Sequence, residues 1–241
     1  MARGEQEKIC IDWVNKLFLQ RKVACLGKYG DWVFVKEAFE TAKPNPASSE
    51  FPDFLFEGGF IEHFQVTSTI ENSKGSEFRK EQNVFHQKCE ENIKSMAASP
   101  FTHSGAFSLT SCPMEMKSPN STYENYKKSF QKNWIHHINS RKAFDQLGKS
   151  IFLVEMVGHP ITIEEDGTFK CFYKLAYDKD ILEYIYEFRD EVQYVVFIYS
   201  DQCEVVSVSE ISNRKKTLPN NMHFGVGNHT EVNLQLLLDI N

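Results

Sequence analysis

The sequence has no CxxC pair. Its six cysteines stand singly at positions 10, 25, 89, 112, 171 and 203, which excludes zinc-ribbon and thioredoxin-type sites. No apolar run approaches the roughly 20 residues of a membrane helix. The first residues, "MARGEQEKIC", lack the apolar stretch of a signal peptide. Single thiols without an export signal lead us to expect buried cysteines in a cytoplasmic protein. GxSxG, HExxH and Walker motifs are also missing. An excess of positive charge is missing too: the net charge is −6, which does not favour nucleic acid as a partner. Composition is otherwise that of a globular chain, 41% apolar and 25% charged. At 241 residues we expect a single domain over 1–241.

Periodicity and turn residues give an order of elements. Apolar residues at Ile9, Trp13 and Leu17, with Val14 and Phe18 beside them, predict a helix over 5–19. "WVFVKEAF" (32–39) reads as a strand, and "TAKPNPASSE" (41–50) as a loop. "DFLF", "EGG" and "FIEHFQVT" make a hairpin from Asp53 to Thr67. A helix is expected over 77–94, then an irregular insertion at 97–120. The clearest helix runs from Ser121 to Leu147, with Tyr123, Tyr126, Phe130, Trp134 and Ile138 at steps of three and four. "IFLVEMV" (151–157) has the length and apolarity of a central strand. A hairpin around Asp166-Gly167, a helix capped by Asp178 and a strand pair at 194–200 and 203–211 follow. A C-terminal extension begins at about 212. The fold class expected is α/β: a three-strand meander, a helical crossover and further strands in one mixed sheet flanked by helices.

The hairpin carries the chemistry. Alternate strand residues share a face, so His63, Gln65 and Thr67 point one way with Ile61, and Glu62 and Phe64 point the other. Asp53 opens the neighbouring strand and can stand beside His63 and Gln65. A carboxylate, an imidazole and an amide oxygen at one strand edge are possible ligands for a divalent metal. A second feature is charge. From Lys117 to Lys149 seven basic residues (117, 127, 128, 132, 141, 142 and 149) face only Glu124 and Asp145. Such a local basic face can contact phosphates; a solvated helix face is the alternative. "WIHHI" (134–138) puts His136 and His137 about 100° apart on a helix, unsuited to one ion. "HFGVGN" (223–228) is too short for a phosphate loop, and Cys112 has no histidine motif nearby.

Pro52-Asp53, followed ten residues later by His63-Phe64-Gln65 between apolar residues, resembles the PD-(D/E)XK nuclease superfamily. That family's pattern has an acid and a lysine where this chain has His63 and Gln65. The resemblance implies a restriction-endonuclease-like core and divalent-metal-dependent cleavage of DNA with Mg²⁺ or Mn²⁺. It implies Asp53, His63 and Gln65 in the site, with Asp53 and His63 as metal ligands. Glu7 would be the first-helix glutamate (Glu5 the other choice), and Lys74 would replace the missing lysine, with Lys80 the other choice. Lys127, Lys128, Lys132, Arg141 and Lys142 would touch the nucleic acid. Restriction or phage defence is the implied setting. The competing expectation is a catalytically silent copy of the fold that binds DNA or a protein partner, or pairs with itself.

Overall fold

The computed structural model describes residues 5–47, 51–69, 71–72, 75–76, 121–144, 148–165, 168–199, 201–219 and 222–226. The expected helix over 77–94, the insertion at 97–120, Lys74, Lys80, Cys89, Cys112, the turn Asp166-Gly167 and the tail beyond 226 lie outside the described residues.

The chain opens with helix α1 (Glu5–Leu19), strand β1 (Val23–Leu26), helix α2 (Tyr29–Thr41) and strands β2 (Lys43–Pro44), β3 (Phe54–Phe56) and β4 (Gly59–Thr67). A small hairpin, β5 (Glu71–Asn72) with β6 (Gly75–Ser76), precedes helix α3 (Tyr123–Ala143) and strand β7 (Lys149–Val157). Then come β8 (Ile161–Glu165), β9 (Thr168–Phe172), helix α4 (Lys179–Glu187), β10 (Tyr194–Tyr199), β11 (Gln202–Ser207), helix α5 (Ile211–Thr217) and β12 (His223–Val226).

Seven strands form one mixed sheet in the order β1-β11-β10-β7-β4-β3-β2. β2, β3 and β4 make an antiparallel meander. α3 then carries the chain over to β7, which runs parallel to β4, and β10 runs parallel to β7. β12, β8 and β9 form a separate three-stranded sheet. The fold is therefore α/β, with a mixed central sheet flanked by helices. The start of the C-terminal extension is structured: α5 covers the core and β12 pairs with β8.

Two apolar layers sandwich the sheet. On one face α1 and α2 bury Ile11, Val14, Leu17, Phe18, Val35, Ala38 and Phe39 against Ile61, Ile151, Leu153 and Val196. On the other, α3 sets Tyr126, Phe130, Trp134 and Ile138 on Phe64, Phe152 and Val154, beside Leu182 and Ile185 of α4. Thr122 and Asp178 cap α3 and α4 through their side chains. The hairpin turn needs both glycines. Gly58 has φ +87°, and a Cβ on Gly59 would strike the backbone carbonyl of Lys149.

Two expectations are corrected. Residues 32–39 are helix, not strand. The β-prone string "WVFV" is overridden because Asp31 Oδ2 accepts from the Lys28 N–H at 2.8 Å and closes a helical first turn. Val35, Ala38 and Phe39 then fall on one helical face. The first meander strand is instead the short β2 within the expected loop. Second, the buried stripe of α1 is Cys10, Ile11, Val14, Leu17 and Phe18. Ile9 is 53% exposed.

Trp134 has no solvent exposure and packs on Phe130 and Phe152 with ring centroids 5.4 and 5.0 Å away. Trp134→Ala is expected to cost about 3–5 kcal/mol in urea unfolding. A loss below about 1 kcal/mol would contradict this packing.

Candidate active site

The β4–β7 seam is apolar at its start and polar in its middle. Parallel register sets His63 opposite Leu153 and Gln65 opposite Glu155. His63, Gln65 and Glu155 share the α1 face of the sheet with Ile61 and Leu153. Their side chains converge: His63 Nε2 lies 3.1 Å from Glu155 Oε2, and Gln65 Nε2 donates to the same oxygen at 2.8 Å. Gln6 reaches down from α1 and donates to Glu155 Oε1 and Oε2 at 3.2 and 3.3 Å. Burial works to raise the Glu155 carboxyl, but hydrogen bonds from His63 and Gln65 outweigh it and hold the group below its ordinary value.

Cys10, one turn after Gln6, completes this cluster. Its Sγ lies 3.8 Å from Gln6 Nε2. Burial, and next the charge of Glu155, push the thiol well above its ordinary value. The ligand-type atoms of Cys10, His63 and Glu155 all lie within 4.8 Å of one another. A cleft of about 190 Å³ opens beside them, lined by Ile9, Cys10, Trp13, Glu155, Met156 and Ile198.

Asp53 stands just before β3, across β4 from β7, after Pro52 and its cis peptide. Its Oδ2 accepts from the His63 N–H at 2.8 Å, while its own N–H donates to Glu62 Oε2 at 3.1 Å. Burial, and next the charge of Glu62, push Asp53 up to about 6. Glu62 points to the opposite sheet face, as strand alternation requires, and its Oε1 lies 2.6 Å from Nδ1 of His137 on α3. Burial pushes Glu62 up to about 8 and His137 down to about 4. Both shifts favour the uncharged forms of the pair. The His137 ring stacks on Phe64 at 4.7 Å.

Asp53 bonds the His63 backbone, His63 and Gln65 share the Glu155 carboxylate, and the negative charge of Glu7 acts on both Asp53 and Glu62. The tight ligand group around His63, however, is completed by Glu155 and Cys10, not by Asp53. Neither was singled out from sequence. Glu155 could have been found as the one charged residue inside "IFLVEMV", whereas Cys10 has no signal of its own. His137 was weighed only beside its neighbour His136, because its true partner, Glu62, is 75 residues away. The basic residues of α3 lie across the sheet from the Glu155 cluster. Lys127 pairs with Asp180 at 2.8 Å and Lys142 with Glu191 at 3.3 Å. Arg141 donates to the Phe144 carbonyl at 3.0 Å and lies over the Phe60 ring. Lys128 and Lys132 are exposed.

Comparison of the chain with protein-family models, with curated proteins and with solved structures gave no match.

The two raised carboxyls set a pH dependence. Both favour the protonated form when folded, so their stabilisation is complete below their ordinary values near 4. It is lost as pH rises through about 6 for Asp53 and about 8 for Glu62. His137, held down at about 4, works the other way up to its ordinary value near 6.5, so in chelator the melting temperature should fall most clearly between about pH 6.5 and pH 8. Glu62→Gln mimics the protonated acid and should flatten the fall, melting above wild type at pH 8. A variant that melts lower than wild type at pH 8 would contradict this.

Proposed function

We propose that this protein is a divalent-metal-dependent hydrolase of phosphodiester bonds in DNA, a divergent nuclease of the PD-(D/E)XK type. One observation carries the reading: the polar run after Pro52-Asp53 meets a glutamate of the post-crossover strand, with His63 Nε2 3.1 Å from Glu155 Oε2 and Asp53 bonded to the His63 backbone. The meander, crossover helix and parallel strand that surround this point agree with what the resemblance implies. No helix among the described residues is long and apolar enough to cross a membrane.

The donors present suit a divalent ion. Imidazole and carboxylate fit Mn²⁺ or a softer ion better than Mg²⁺, which prefers oxygen ligands alone. His63 and Glu155 would hold it. Such an ion, when bound, supplies Lewis acidity toward a phosphoryl oxygen and a water that ionises near neutral pH. The chain's own residues then divide the remaining work. Gln65 and Gln6 fix the Glu155 carboxylate by their amide N–H groups. Asp53, raised to about 6, can take a proton from water at neutral pH. Gln65 cannot supply the positive charge of the lysine it replaces, so charge compensation at the phosphate must come from elsewhere in the chain.

The second reading is a silent copy of the fold that binds DNA or protein. It is favoured by the full set of donors already on Glu155 and by the amide at position 65.

Supercoiled and linear DNA should be cut in Mn²⁺, more weakly in Mg²⁺, and not in chelator. His63→Ala, Glu155→Gln and Asp53→Ala should each lose about 10²-fold or more on an agarose-gel time course. Intact DNA and RNA under every metal would overturn the enzyme reading in favour of the silent one.

A further inference from the structure

We propose that Cys10, His63 and Glu155 form a three-ligand site for a zinc-class cation, with its fourth position open to the adjoining cleft.

The three residues come from three different elements, α1, β4 and β7, each fixed by its own packing. Cys10 is 2% exposed and His63 7% exposed, so neither samples many rotamers. Zinc bonds to sulfur, nitrogen and oxygen run about 2.0–2.3 Å, which sets the ligand atoms of a tetrahedral site about 3.5 Å apart. The atoms here lie within 4.8 Å of one another, so the widest-spaced pair must close by a little over about an ångström to hold an ion. The longer, half-buried Glu155 side chain can supply it.

The donor chemistry selects the ion. A thiolate, an imidazole and a carboxylate are borderline-to-soft together, the set that Zn²⁺ takes and Mg²⁺ does not. Three protein ligands rather than four are the pattern of a site that keeps one position for water or substrate. The cleft adjoins the ligands, because Cys10 and Glu155 are part of its wall. At about 190 Å³ it admits water and a group of phosphate size, well below the roughly 300 Å³ at which drug-sized ligands begin to fit. Ile9, Trp13, Met156 and Ile198 make the rest of the wall apolar, which strengthens charge interactions at the ion.

Outer partners are also in place. Gln65 and Gln6 donate to Glu155 and fix which way its oxygens face. Binding requires loss of the Cys10 thiol proton and a free lone pair on His63 Nε2. Affinity therefore rises with pH and protons are released on loading. The inference deepens the hydrolase reading, on which any catalytic role of the ion rests, but its test does not use cleavage.

The full-length chain, stripped with chelator, is titrated with Co²⁺ and followed by absorption. One equivalent should bind, giving the visible bands of four-coordinate cobalt and a near-ultraviolet thiolate-to-cobalt band. Cys10→Ser should lose the thiolate band, while Cys25→Ser, at an exposed cysteine, keeps it. Gln65→Ala should weaken Co²⁺ by about tenfold. Failure of wild type to bind Co²⁺, or a thiolate band that survives in Cys10→Ser, overturns the site. If Cys10→Ser does not fold, cadmium NMR of the wild-type chain decides. A shift typical of sulfur ligation supports the site, and one typical of oxygen and nitrogen alone overturns it. Cobalt bound through Cys10 with DNA left uncut would uphold the site and sink the nuclease reading.

Discussion

A carboxylate on the central strand of the sheet organises the rest of the structure. Glu155 lies in β7, between β4 and β10, where every neighbouring position on its face is apolar except those of β4. Burying an ionised group there is expensive unless its oxygens are bonded. The chain meets that need from two directions. His63 and Gln65 reach it across the β4–β7 seam, and Gln6 reaches it from the first turns of α1. Because three donors must meet two oxygens, α1 is held at one position along the seam and β4 in one register. A slip of β4 by one residue would turn His63 and Gln65 to the α3 face and leave Glu155 alone.

Adjacent residues on β4 serve opposite faces. His63 belongs to the Glu155 cluster, and Glu62 belongs to the α3 side, where it meets His137. Asp53 joins the two. It bonds one strand residue through its carboxylate and the next through its own N–H. The polar content of this part of the chain is therefore one connected network through the sheet rather than a row of surface residues. Its acids are compensated in different ways: Glu155 by hydrogen-bond donors, Glu62 by sharing a proton with His137, and Asp53 by one backbone N–H. Among the described residues no lysine or arginine pairs with any of them. Of the three, only Glu155 lines the cleft, and its carboxylate with the Cys10 thiol and the His63 imidazole beside it is the donor set on which the metal reading rests.

Much of the framework was legible in the sequence because it depends on local pattern. The aromatic spacing from Tyr123 to Ile138 could only be a helix with a buried face, and "IFLVEMV" only a buried strand. Glycine pairs and capping residues marked the turns. Residues 32–39 misled because β-prone side chains can sit on a helix once a cap at Asp31 starts it and a core layer receives Val35, Ala38 and Phe39. β1 escaped because four residues at a sheet edge carry little pattern. Strand alternation did separate His63 and Gln65 from Glu62 correctly. What it could not supply was the partner from another part of the chain: Glu155 is 92 residues from His63, and Cys10 looks like any buried thiol until α1 is laid over the seam.

The proposed cation site at Cys10, His63 and Glu155 is what would tie this network together. Anomalous diffraction at the zinc edge, on crystals of the full chain loaded with Zn²⁺, tests it most directly. The account expects one strong peak bonded to Cys10 Sγ, His63 Nε2 and a Glu155 oxygen. A peak between Asp53 and Glu62 instead, or none at the β4–β7 seam, would contradict it.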